Sequence, residues 1–140
     1  MIMEQTLIII GAAIIGLLGS AHLVYTFFTN KLCAYDNSVN QAMQNSTLVL
    51  TRQTSMWKAW VGFNASHSLG AILFAAVYIP MSYFHFDVIE HSLWFALLPV
   101  ITGLSYLFLA SRYWFNLPFW GIFFATLCFA MSILKLTVVN

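Results

Sequence analysis

Two apolar stretches of the chain carry side chains suited to polar chemistry at helical spacing. The first holds His22 and Tyr25; the second holds Trp57, Trp60, Asn64 and His67. Residues three or four apart lie on one face of a helix, so each set forms a continuous stripe. A neutral imidazole can accept, donate or relay a proton near neutral pH. Placed in a membrane span, such groups are costly unless they face protein or water. At 1.5 Å of rise per residue, His22 lies roughly 10 Å from the end of its segment, Asn64 roughly 12 Å and His67 roughly 16 Å from the same side. If the two faces meet, His22 sits level with Asn64. Thr102, Ser105, Tyr106 and Trp120 fall in the same half of later segments.

A plainer reading stands beside this one. Polar side chains in membrane bundles often only join helices, at about 0.6 kcal/mol per contact. The small-residue ridges Ala12/Gly16/Ser20 and Gly62/Ser66/Gly70 recur every four residues and let backbones approach closely. Two imidazoles also raise haem b as a cofactor option, since histidine is a common axial ligand. Their difference in depth, roughly 6 Å by helical rise, is awkward for opposite faces of one iron. No carboxylate or cysteine lies near that level, so no metal site is expected there, and the cofactor is otherwise unknown.

The elements that must position these residues are read from composition. Of 140 residues, 61% are hydrophobic and 6% are charged, against about 25% charged in soluble domains. Such a chain would leave large apolar patches in water, and a bilayer accepts them. A hydrocarbon core of about 30 Å takes about 20 helical residues per crossing. Spans are expected at 6–28, 56–79 (closed by Pro80), 92–111 and 117–136, the last with Asn116 as N-cap and Pro118 in its first turn. The expected fold is all-α: an integral membrane antiparallel four-helix bundle forming a single domain over 1–140. The N-terminus has no basic region before its apolar run, so a cleavable signal peptide is not expected.

The connection 29–55 is long and polar, with a short surface helix conceivable over 39–50. Lys31, Arg52, Lys58 and Arg112 fall on one side of the membrane and only Lys135 on the other. The positive-inside rule then puts both termini outside and the long loop in the cytoplasm. Those four cations set topology, and they could also attract an anionic headgroup. Net charge is +1 without a basic stripe, so nucleic acid is not an expected partner. Cys33 and Cys128 form no motif and read as small buried residues. His85, Asp87, Glu90 and His91 are potential metal ligands, although the spacing matches no established motif and a solvated loop explains them.

The stretches Gly19-Ser20-Ala21-His22-Leu23-Val24-Tyr25 and Trp57-Lys58-Ala59-Trp60-Val61-Gly62-Phe63-Asn64-Ala65-Ser66-His67-Ser68-Leu69-Gly70, with Arg112-Tyr113-Trp114-Phe115, resemble a group of small bacterial four-helix inner-membrane proteins of unassigned function. The resemblance covers most of the chain. It implies four helices and a bacterial inner membrane, and it points to His22, Asn64 and His67 without implying a reaction.

Two functions remain open. In one, a cytoplasm-facing pocket binds, or binds and processes, a lipid-like or isoprenoid molecule. His22, Asn64 and His67 would supply its polar contacts, and Tyr25, Trp57 and Trp60 would line it. In the other, the protein is an accessory subunit whose small-residue faces pack against a second copy or a larger membrane complex.

Overall fold

The computed structural model describes residues 3–139; Met1, Ile2 and Asn140 of the expected domain lie outside the described residues. The described chain is all-α, with helices α1 (Met3–Phe28), α2 (Asn37–Asn45), α3 (Met56–Phe84), α4 (Phe86–Glu90), α5 (Leu93–Tyr113) and α6 (Asn116–Val139). Four of them, α1, α3, α5 and α6, are long and apolar enough to cross a membrane. They are the spans of an antiparallel four-helix membrane bundle. Helix is the natural choice, because backbone groups in lipid must be satisfied within the segment itself. Large apolar side chains such as Leu17, Phe63, Leu73, Val77, Phe108 and Leu134 are more than half exposed. In a bilayer these positions face acyl chains.

Three boundaries depart from the sequence reading. Pro80 does not close the second span; α3 runs through it to Phe84. Proline removes one backbone bond and crowds the preceding turn. In lipid, however, stopping the helix would leave several backbone groups unpaired, and neighbouring structure offsets the single loss. Asn116 is the first helical residue, not the cap. Phe115 holds the cap position, its carbonyl accepting from Phe119 N at 3.5 Å. Pro118 still falls in the first turn, where its missing N–H has no intrahelical partner to lose. The surface helix covers Asn37–Asn45 instead of 39–50, because the Asp36 carboxylate accepts from Ser38 N at 2.9 Å and starts it early.

Contacts divide the chain into two compact units, Met1–Leu18 with Ala71–Asn140, and Gly19–Gly70. The first unit holds every buried hydrophobic side chain, among them Ile8, Ala12, Ile15, Ala75, Ile122 and Phe129. Small residues make this packing close. A Cβ on Gly11 would lie 2.5 Å from the Phe129 ring, and one on Gly16 would lie 2.7 Å from the Ala75 Cβ. A Cβ on Gly103 would meet Thr126 Oγ1 at 2.6 Å. Polar groups in this unit tie helix to helix. Gln5 Nε2 donates to the Ser82 carbonyl at 2.6 Å, Tyr78 Oη to the Phe95 carbonyl at 3.2 Å and Ser132 Oγ to the Glu4 carbonyl at 3.0 Å. The stretch 85–91, read as a loop, contains α4, which turns Phe86 and Ile89 inward.

The second unit is built differently. Between residues 19 and 70 only Gly19 and Ser68 are buried. Its long connection is ordered by hydrogen bonds. Asn40 pairs reciprocally with Ala34, accepting from Ala34 N at 2.9 Å and donating to Ala34 O at 3.0 Å. Thr47 and Ser55 form an isolated antiparallel bridge. Met56 N donates to the Ser46 carbonyl at 2.9 Å. Ser55 then caps α3, its Oγ accepting from Lys58 N at 3.3 Å.

Candidate functional site

Four of the six residues singled out from the sequence, His22, Trp60, Asn64 and His67, are linked within the second unit, and Asn64 is their hub. His22 and Asn64 face each other as their depths predict, with Nε2 to Oδ1 at 2.9 Å. Asn64 Nδ2 donates to the Trp60 carbonyl of the preceding turn at 2.8 Å. That bond fixes the orientation of the amide, so Oδ1 must be the acceptor toward His22. The imidazole therefore carries its proton on Nε2, and a neutral His22 presents Nδ1 as a lone pair. Trp60 Nε1 in turn donates to the Leu32 carbonyl at 3.1 Å, fastening the start of the long loop to α3. His67, one turn along α3, meets the His22 ring edge-on, with centroids 5.5 Å apart and planes at 82°.

The C-terminal end of α1 is closed by hydroxyls at the spacing the geometry requires. Thr26 Oγ1 donates to the His22 carbonyl at 2.8 Å and Thr29 Oγ1 to the Tyr25 carbonyl at 3.0 Å. The Tyr25 carbonyl is among the last four of the helix, which have no intrahelical donor, whereas the Thr26 hydroxyl is satisfied on the carbonyl one turn back in its own helix. Tyr25 itself does not join the histidines. Its ring lies under the Lys31 ammonium, 4.3 Å from Nζ to centroid, a cation–π contact.

Beside this network lies a recess of about 170 Å³, lined by Thr26, Asn30, Cys33, Trp57, Trp60 and Asn64 among others. At about 30 Å³ per water it has room for roughly five or six waters. It suits a polar head or a single ring, not a whole lipid. A wider and more open recess of about 660 Å³ adjoins it, sharing Asn30, Cys33 and Trp57. Of the six, Trp57, Trp60 and Asn64 line the smaller recess, whereas His22, Tyr25 and His67 are absent from its lining. Thr26, Asn30 and Cys33 escaped the sequence reading. Thr26 stands four residues after His22, a spacing that could have revealed it; the loop residues carry no periodic signal.

Other polar residues are satisfied locally. Ser105 Oγ bonds the Ile101 carbonyl of its own helix at 2.8 Å. Trp120 is exposed and lies against Phe119, Phe123 and Phe124 of α6. Outside the spans, hydrogen bonds from Ser38 hold the Asp36 carboxyl below the ordinary carboxylate range. His91 Nδ1 bonds the Asp87 carbonyl at 2.9 Å. Among the described residues no three His, Cys, Asp or Glu side chains come together to hold a metal ion, the 85–91 stretch included. His22 Nε2 is engaged by Asn64 and its ring abuts His67, which does not present a pair of imidazole nitrogens to one haem iron.

With four helices long and apolar enough to cross a membrane, the chain is a small multi-pass integral membrane protein. No known protein family, curated protein or solved structure matches it.

Proposed function

We propose that this protein binds the polar end of a lipid-like or isoprenoid molecule at the recess beside Asn64, with the apolar part lying along lipid-facing side chains such as Phe27 and Phe63. The reading is carried by one observation: hydrogen bonds run from Leu32 through Trp60 and Asn64 to His22, and Trp60 and Asn64 line the recess of about 170 Å³. Joining two helices needs only one such bond. Holding an imidazole in a set tautomer is what recognition, or proton transfer to a bound substrate, requires. Asn64 is the polar contact in the lining, and His22, bonded to it, and His67, against the His22 ring, complete the polar cluster beside the recess. Trp57 and Trp60 supply flat apolar surface with an N–H at its edge, and Tyr25 positions Lys31. Placement in a bacterial inner membrane with both termini outside belongs to the same proposal. Its basis is Lys31, Arg52, Lys58 and Arg112 set against Lys135.

The test is a native mass spectrum of protein extracted gently from its own membranes. A retained amphipathic molecule, lost in His67→Ala without loss of the folded chain, is the expected result. A chain that retains nothing under these conditions would sink the reading.

A second reading has its own observation. Gly62 and Gly70 face open space, since a Cβ on either would meet nothing within 4 Å. With Ser66 between them they form a free small-residue ridge, as an accessory subunit packing on a second copy or a larger complex would need. Under that reading Gly62→Leu disrupts assembly and His67→Ala is silent.

A further inference from the structure

Resting on the binding reading above, we infer that the head recognised here is a hydroxyl-rich group on a single phosphodiester, held in the two adjoining recesses by unpaired amides, one indole and one ammonium. The recesses share Asn30, Cys33 and Trp57 and so form one groove, from Asn64 at its inner end to Gln44 on α2. Much of the inner polar lining is already spent on the protein: Thr26, Thr29, Trp60 and Asn64 all bond to backbone carbonyls. The side chains of Asn30, Trp57, Asn37 and Gln44 line the groove and have no hydrogen-bond partner among the described residues.

The chemistry of these free groups is selective. A carboxamide offers a donor pair and an acceptor together, which matches a hydroxyl that must both give and receive. A simple anion would use only the donors, and an alkyl head would use neither. Asn30, Asn37 and Gln44 supply three such amides, and Trp57 adds a donor on a flat apolar ring that can lie against a C–H face. Lys31 is the only cation in the lining, and no carboxylate accompanies it there. Its ammonium is held over the Tyr25 ring, not paired with an acid, so its charge is available to one phosphodiester. Asn40 takes no part, because both ends of its amide are bound to Ala34.

Three lipids of identical acyl chains and identical head charge separate the possibilities: phosphatidylinositol, phosphatidylglycerol and phosphatidylethanol, titrated against the full-length chain in detergent and followed by native mass spectrometry. The inositol and glycerol heads are expected to bind about tenfold tighter than the ethanol head, the effect of one or two net hydrogen bonds. The double variant Asn37→Ala/Gln44→Ala, altered on an exposed helix face, is expected to lose that preference while its affinity for phosphatidylethanol stays unchanged. Equal affinity for all three lipids would overturn the hydroxyl inference and leave the binding reading standing. Failure of all three to bind would overturn the phosphodiester inference as a whole, while the binding reading stands or falls on the molecule retained from the protein's own membranes.

Discussion

The unit formed by Met1–Leu18 with Ala71–Asn140 and the unit formed by Gly19–Gly70 are made from similarly apolar spans, yet they are held together by different forces. The first is a packing solution. Glycine and alanine bring helices close, Phe129 fills the space opposite Gly11, and every buried hydrophobic side chain of the described protein lies here. In lipid there is little hydrophobic gain in joining helices, so close van der Waals contact must supply the attraction. The second unit has almost nothing buried. It is held by directed bonds: His22 to Asn64, Trp60 to Leu32, Asn40 to Ala34. The contrast teaches that close packing and directed bonding are used by separate parts of this small chain. The proposed binding site lies in the less densely packed part, as is common for binding regions.

The largest effect is expected where that contrast is steepest. Phe129→Ala removes a fully buried ring from the first unit and leaves a cavity against Gly11, at a cost of about 3–5 kcal/mol. Gly62→Leu in the second unit adds bulk where nothing stands within 4 Å, and the isolated chain should unfold as before. Unfolding in mixed detergent micelles, titrated with a denaturing detergent, compares the two directly. Similar losses in both variants would break the division into a packed and a bonded part.

Legibility in the sequence follows the same division. The four spans were readable because bilayer thickness and helical rise convert hydropathy into length almost without ambiguity, and the α1 and α3 faces were readable because their polar residues repeat at three and four. From those repeats alone, Asn64 could be placed level with His22. Pro80 misled because its cost in water is not its cost in lipid. The ordering of the long loop was hidden, since Asn40 with Ala34 and Thr47 with Ser55 are single bonds between residues that carry no period. For the same reason the recess was seen only from its helical side. Tyr25 shares a face with His22 yet serves Lys31, because side-chain reach, not face, decides which partner a residue meets.

A smaller effect would sharpen what the bonded unit does. Asn64→Ala removes the acceptor of His22 Nε2–H, which should cost about 1 kcal/mol of stability, near the usual net value of one hydrogen bond. Nitrogen-15 NMR of the imidazole is the more telling measurement. His22 in the native protein should report the Nε2–H tautomer, and in the variant a mixture of the two. A single unchanged tautomer in Asn64→Ala would mean that some other group sets the proton, and the hub assignment would fall.

The smallest expected effect has the opposite sign. Ser82 is fully buried in the packed unit, and among the described residues its Oγ is the buried side-chain oxygen without a hydrogen-bond partner. Its carbonyl is well served by Gln5, so only the hydroxyl is orphaned. An unmade hydrogen bond in an apolar interior costs more than the missing hydroxyl would. Ser82→Ala should therefore stabilise the protein, by about 0.5 kcal/mol on the scale of polar contacts in membrane bundles. Ser132 is equally buried, but its Oγ donates to the Glu4 carbonyl, so Ser132→Ala should lose about the same amount. The pair tests whether the first unit is held by shape with bonds as local additions. If both substitutions destabilise equally, the Ser82 hydroxyl has a partner such as a trapped water, and the packed unit relies on directed bonds as the other one does.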